Sequence, residues 1–563
     1  MTLHRFGLLA ATLFILGALP HSGDQFIALN AKSDFEKTLS KGSSDDYSIA
    51  LAAKESALII VKQEGVDVVI DVTTPDGSLL DSVDSPTGRY GDEVVEIFAR
   101  AKGDYGLRIH AIDEREPVGK YRVTVKEMRS AESTSAILAS RQRARDEASH
   151  WLAVRSAGLP AFDLIAKRKS LPLVDSLAEK VQVVGLGEAT HGSREFGDVR
   201  IALTERLIEE HGYRVVAMEA SATAMREIAP YINGRSQKTS EMDQVIESGW
   251  IGRRARRQLV EWLRNWNRSH AESQVTLIGV DAQENEKSQE ILATFLQRAY
   301  SEQVVDQWKD GAKELAAADA QTPVFGDSGV NDKVGQFLDE LLAKMALDAP
   351  ILRARFGDET YAQAWQAAKD LAEFSDFNSE NGGALGHSRD WYMAAEVLRA
   401  AEGQKDSKRK VVFWAHNAHV AVRNQTTGAI LRSALGCNYA AVAITFGQGN
   451  FVAQIPNDAQ DRLAASTLPL AEGDTIESVL AKVQAGCLMA TWPCGSARPG
   501  APAWLLKPQP MHWVGGLYAL STPASGAFRQ FDLLHDFDAI IYLPKVTADE
   551  IPADRPHIPA RQR

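Results

Sequence analysis

From Val181 onward the chain repeats one unit, a short apolar run followed by a stretch whose apolar residues keep helical spacing. The runs "VQVVGL", "YRVVAM", "VTLIGV" and "KVVFWA" have the length of buried strands, and amphipathic stretches separate them. Strand, helix, strand in that order is a βα unit, so the pattern predicts an α/β class domain: a mostly parallel sheet flanked by helices. Between the third run and the fourth lies a large helical insertion, roughly residues 287 to 404, about the size of a lid or second lobe. Inside it, "AYSEQVVDQWKDGAKELAAA" and "VGQFLDELLAKMAL" carry apolar stripes that read as helix-packing faces.

The N-terminal part follows a different rule. "GVDVVIDVTTPDGSLL" sets Val66, Val68, Ile70 and Val72 against Asp67 and Asp71, then turns at Pro75, Asp76 and Gly77. Half-buried strands alternate in this way. With "EVVEIFA", "YGLRIHA" and "KYRVTVKEM" it predicts a small antiparallel β-sandwich ahead of the α/β domain. The opening "MTLHRFGLLAATLFILGALPHSG" places His4 and Arg5 before an apolar run that ends at Pro20, the pattern of a cleaved secretory signal. No later run approaches membrane length, so no integral membrane segment is expected after signal removal. The expected organisation is a signal at 1–23, a sandwich at 24–130, a helical linker at 131–150, a hydrolase domain at 151–545 and a polar tail at 546–563. Export to the periplasm or the medium follows. Helix is expected from Ser130 to about Ala166.

Sixty-two basic residues against seventy-four acidic ones leave a net charge of -12, which argues against a nucleic-acid or anionic-membrane partner. The strongly basic "RRARRQLVEWLRNWNRSH" repeats Leu259, Trp262, Leu263 and Trp266 on one face, so it reads as a packed helix with a solvated basic side. Three cysteines are too few for a disulfide scaffold. Cys487 and Cys494 flank "LMATWP" and could close one loop, which leaves Cys437 as a buried thiol.

Each α/β strand ends in titratable groups: Glu188 and His191 after the first, Glu219 after the second, Asp281 after the third, His416 and His419 after the fourth. Ligands of α/β sheets bind beyond the carboxyl ends of the strands, so these groups are candidates for one site. Gly187 and Gly192 bracket Glu188-x-x-His191, and Ser193 is a candidate N-cap for a helix stopping at His211-Gly212. On that helix Arg200 could reach back towards the carboxylates. A histidine with a carboxylate behind it is a general base, and two histidines with carboxylates equally make a zinc or manganese site. The chain has no Gly-x-Ser-x-Gly elbow, P-loop, His-Glu-x-x-His or dinucleotide fingerprint, so water is the expected nucleophile of any hydrolysis.

"GLGEATHGSREF", "VVAMEA", "RDWYMAAEVL" and "VVFWAHNAHV", in this order, resemble the erythromycin esterase family, over roughly residues 149 to 543. The recurring "GDY" and "GKY" before the N-terminal strands resemble pre-peptidase C-terminal β-sandwiches of secreted enzymes, and imply an accessory module. The esterase resemblance implies a hydrolase without cofactor or metal, acting on a small-molecule ester or lactone, and it specifies no oligomeric state. It implies that His191 activates water, that Glu188 and Glu219 are its acidic partners, and that Arg200 and His416 assist. His419, Asp281 and Arg389 are expected to bind substrate; of these, His419 and Arg389 lie in the matching motifs. The added exported sandwich argues against antibiotic resistance by macrolide inactivation as the chain's role. Two alternatives stand beside this reading: a metal-dependent hydrolase using Glu188, His191, Glu219 and His416 as ligands, and a non-catalytic binding protein at the cell surface.

Overall fold

The computed structural model describes residues 26–84, 88–112, 116–165, 169–237, 246, 252–283, 285–321, 330–379, 387–403, 408–456, 462–484, 486–495, 498, 500–519, 524–551 and 557–558. The signal-like segment 1–23 lies outside them. No described helix is long and apolar enough to cross a membrane. The chain divides into two compact units, up to Ser140 and from Arg141, so the division falls inside the helix α1 (Ala131–Ala153). That helix ends at Ala153, and an edge strand follows where the sequence suggested more helix.

The first unit holds a β-sandwich. One sheet contains β1 (Ile27–Leu29), β3 (Ser44–Leu51), β5 (Val68–Thr73), β6 (Leu79–Val83) and β8 (Gly103–Ala111), in the order β1-β3-β8-β5-β6. The other contains β2 (Asp34–Leu39), β4 (Ser56–Glu64), β7 (Tyr90–Phe98) and β9 (Gly119–Arg129), in the order β2-β9-β4-β7. All pairs are antiparallel except β1 with β3. Val66, Val68, Ile70 and Val72 are all buried in its core, as their alternation requires.

The second unit is built on a mixed sheet whose centre is parallel. The four apolar runs form β11 (Val183–Leu186), β12 (Val215–Ser221), β13 (Thr276–Asp281) and β14 (Val411–Trp414). With β15 (Tyr439–Gln454) and β20 (Ala539–Val546) they stand in the order β20-β15-β11-β14-β12-β13, parallel throughout. At the β20 edge β17 (Leu488–Thr491) and β10 (Ser156–Gly158) join antiparallel. β11 and β14 are buried along their whole length because both faces are covered. On one face lie α2 (Pro172–Lys180), α3 (Arg194–His211) and α6 (Arg253–Ser269); on the other α11 (Arg389–Glu402) and α13 (Thr427–Leu435). The helix after β11 and those after β14 therefore cover opposite faces, and a crevice opens where the two neighbouring strands end. The insertion contributes α7 (Glu286–Ala299), α8 (Glu302–Gln321), α9 (Asp332–Phe356) and α10 (Asp358–Phe377), which enclose a core of their own.

Four local expectations need correction. Ser193 stands at the N-cap of α3, but its hydroxyl donates to the Asn450 carbonyl and does not cap the helix. Much of the basic side of α6 is engaged rather than solvated: Arg254 pairs with Asp198 and Asp549, and Arg264 is buried against the Tyr231 and Ser236 carbonyls. The start of the expected tail is docked: Val546 closes β20, Asp549 N–H donates to the Gly192 carbonyl at 2.9 Å, and Thr547 bonds Glu195. The disulfide joins Cys437 to Cys494, and Cys487 is the free thiol. β17 runs between Cys487 and Cys494, and an extended strand carries its two ends apart.

Denatured but unreduced protein should titrate one thiol per chain, and Cys437→Ser should lower unfolding free energy by about 2–4 kcal/mol. Cys487→Ser should leave it within about 0.5 kcal/mol. Thiol counting and urea denaturation check both.

Candidate active site

Four parallel strands set their terminal side chains along one edge because parallel strands in register end together. Glu188 and His191 follow β11, Glu219 and Asp281 lie at the ends of β12 and β13, and His416 follows β14. The turns after β11 and β14 are tied to each other. Asn417 N–H donates to the Glu188 carbonyl at 2.8 Å, and the Asn417 amide bridges the Ile444 backbone on β15. A Cβ on Gly187 would lie 2.0 Å from Asn417 Oδ1, which explains a glycine there. At Gly192 a Cβ would lie 1.8 Å from the Val452 carbonyl oxygen. Both bracketing glycines thus serve close backbone approach.

Two carboxylate-centred groups result. In the first, Glu188 Oε1 lies 2.8 Å from His191 Nδ1 and Glu188 Oε2 lies 2.5 Å from Arg200 Nη2. Burial resists charge on Glu188, but Arg200 and then His191 outweigh it and hold the carboxyl below its usual range. Arg200 lies over the Trp414 ring at 4.7 Å. A charged Glu188 accepts the Nδ1 proton of His191, which leaves His191 Nε2 with its lone pair. The His191 side chain keeps about a quarter of its surface exposed, whereas Glu188 is buried.

In the second group Glu219 is the centre. Its Oε1 accepts from Arg389 Nη2 at 2.8 Å and faces His419 Nε2 at 3.3 Å, and its Oε2 accepts the His416 backbone N–H at 2.8 Å. Arg389 also holds Asp281, through Nε at 2.9 Å and Nη2 at 2.6 Å. His419 Nδ1 lies 2.8 Å from Asp390 Oδ1. Burial disfavours an imidazolium at His419, yet Glu219 and Asp390 overcome it and raise its pKa to about 10. Arg389 Nη1 lies 3.2 Å from His419 Nε2, and with both His419 nitrogens facing carboxylates this is two cations crowded round Glu219, not a bond accepted by the ring. Against burial, the same cations hold Glu219 well below its usual range.

His416 links the groups and differs from both histidines beside it. Burial, then the neighbouring His191, push its pKa down to about 3, so it is neutral. Its Nδ1 accepts from Ala418 N–H at 3.2 Å, which puts the proton on Nε2. That Nε2 has no hydrogen-bond partner among the described residues. The His191 and His416 rings stand 5.4 Å apart, and the Trp513 and His416 rings meet nearly at right angles with centroids 4.9 Å apart.

All eight candidates gather in these two groups, with Arg200 reaching Glu188 as its helical position allowed. Arg389 stands between Asp281 and Glu219 and bonds both, so the two expected substrate binders are engaged with each other and, through Arg389, with Glu219. Asp390, Asn417, Trp414 and Trp513 are additional members. Asp390 and Asn417 stand inside the motifs "RDWYMAAEVL" and "VVFWAHNAHV" next to recognised residues. Nothing around Trp513 in the sequence signals its contact.

A family model described as erythromycin esterase matches residues 208–546, more than half of the chain, beginning within α3. The chain is 25% identical over 303 residues to an erythromycin esterase type II of Escherichia coli, covering 49% of this chain and 71% of that protein. It is 22% identical over 304 residues to an erythromycin esterase type I of the same organism, covering 48% and 72%. The fold is shared with the solved structure of a mutant erythromycin esterase in its open conformation, with TM-score 0.50 and 18% identity over 69% of this chain and 98% of that one.

The raised pKa of His419 has a sign that can be tested. The native state holds this proton where the unfolded chain, at about 6.5, has released it. The stabilisation is complete below about pH 6.5 and is lost as pH rises towards about 10. Unfolding free energy should therefore fall between pH 7 and 10 in wild type, and this slope should be much reduced in His419→Gln, as read by urea denaturation.

Proposed function

The chain belongs to the erythromycin esterase family, and from that premise we propose that it hydrolyses a carboxylic ester or lactone with water activated by His191. The observation that carries this reading is the pairing of His191 Nδ1 with Glu188 at 2.8 Å, beside the neutral, unpartnered Nε2–H of His416. One ring offers a lone pair and the other a proton.

As a water oxygen attacks the carbonyl carbon, His191 Nε2 takes its proton and Glu188 stabilises the imidazolium. The carbonyl π pair moves onto oxygen, and His416 Nε2–H donates to that oxyanion. Collapse re-forms the carbonyl and breaks the bond to the leaving oxygen, which takes the proton back from His191. A carboxylic acid and an alcohol leave. With Nη2 on Glu188, Arg200 acts chiefly by keeping that carboxylate charged. Glu219 positions His416 through its backbone N–H, and Asp281, Arg389 and His419 hold Glu219 in place.

The metal alternative is poorly served by these side chains. Both oxygens of Glu188 and both of Glu219 are engaged by Arg200, Arg389, the histidines or the His416 N–H. Buried guanidinium groups at those oxygens repel a divalent cation, so the four residues do not form a ligand set. Export is supported by the signal-like N-terminus and by the disulfide, since such bonds persist in oxidising compartments.

His191→Ala should abolish turnover on a panel of simple esters and macrolide lactones while keeping the wild-type circular dichroism and Tm. His416→Ala should lower kcat by about 10²–10³, the scale of a lost oxyanion donor. Esterase activity retained by a folded His191→Ala protein would exclude the mechanism.

A further inference from the structure

Glu477, on the short helix α14 (Ile476–Leu480), has no surface exposed and belongs to neither carboxylate group of the site. Its Oε1 accepts from the Thr445 hydroxyl of β15 and from the His512 backbone N–H, the latter at 2.9 Å. Its Oε2 has no partner among the described residues, and burial raises the carboxyl pKa to about 7. An apolar side chain of similar volume would fill the space but leave the buried Thr445 hydroxyl and His512 N–H without this acceptor. The carboxyl thus ties the His512 N–H to the Thr445 hydroxyl of β15 through one shared oxygen. The His512 ring is clamped between Phe446 and Phe528, each 4.3 Å away, and its Nδ1 donates to the Phe446 carbonyl at 2.8 Å.

His512 ends β18 (Gln509–His512), which pairs with β19 (Phe528–Phe531). The backbone then makes two more bonds in succession. Trp513 N–H donates to the Ala527 carbonyl at 2.7 Å, and Val514 N–H to the Ala189 carbonyl at 2.8 Å, inside Glu188-x-x-His191. The buried side chains of His512 and Val514 flank a half-buried Trp513, the alternation of an extended chain. Its indole stands nearly perpendicular to the His416 ring, with centroids 4.9 Å apart, and 5.8 Å from Phe531. Three consecutive residues thus connect Glu477 to the catalytic turn, with the indole placed beside the proposed oxyanion donor.

We propose that Trp513 is the pocket wall beside His416, selecting esters that offer it a broad apolar or aromatic face, and that Glu477 is its positioning residue. The proposal rests on the esterase reading of the site. Glu477→Gln keeps an acceptor for His512 N–H, whereas Glu477→Leu removes it.

The test uses the full chain and two probes, naphthyl acetate and ethyl acetate. Trp513→Ala should raise KM for naphthyl acetate roughly fivefold, the scale of one aromatic contact, and KM for ethyl acetate less than about twofold. Glu477→Leu should reproduce that split with kcat little changed, and Glu477→Gln should restore it. Trp513 emission, taken as the difference between matched chains with and without Trp513→Phe, should move to longer wavelength in Glu477→Leu and return in Glu477→Gln. An equal KM change for both esters, or a Gln variant behaving like the Leu variant, overturns the proposal. If wild type hydrolyses neither these esters nor macrolide lactones the esterase reading fails separately, and naphthyl acetate quenching of Trp513 emission, with the Glu477 difference spectra, still decides the role of Trp513.

Discussion

A carboxylate buried at the end of a central strand, Glu219, is the interaction on which the rest of the site depends. Taking such a charge out of water costs several kcal/mol unless cations and N–H donors surround it. Here Arg389 comes from the first residue of α11, His419 from the turn after β14 and the third donor from the backbone of His416. Satisfying one buried charge therefore fixes where three separate elements meet. Asp281 and Asp390 complete the balance around the two cations.

With Glu219 fixed, the histidines take different protonation states from similar surroundings. His419, between two carboxylates, keeps its proton to about pH 10; His416, buried beside another imidazole and presenting only its backbone N–H to Glu219, is neutral down to about pH 3. The charges of the second group are spent on one another, while His191, in the first, keeps an open Nε2 as the proposed base and His416, between the groups, is the proposed neutral donor. This separation follows from the strand order. β14 is inserted between β11 and β12, so His416 stands beside His191 on one side and over Glu219 on the other.

Much of this was legible in the chain because it depends on local pattern. Apolar runs announced four of the six parallel strands, β15 and β20 going unread, and strand ends announced Glu188, Glu219, Asp281 and His416. The motif resemblance raised Arg200 and Arg389 above their bare positions. What escaped was decided by distant partners. Ser193 gives its hydroxyl to Asn450 rather than to its own helix, and the docked residues 547–549 are held by Gly192 and Glu195. The disulfide was misassigned because nearness in sequence was read as nearness in space, and β17 intervenes. Trp513 reaches His416 only through the pairing of β18 with β19, which no local pattern in the chain reports.

The central claim is that protonic groups alone do the work, a histidine base oriented by Glu188 and a neutral histidine donor held by Glu219. Its most direct test is the turnover of protein dialysed exhaustively against a strong chelator, assayed in metal-free buffer and again after adding back zinc or manganese. The account predicts the same kcat/KM before chelation, after it and after add-back. Activity lost on chelation and restored by stoichiometric metal would contradict it.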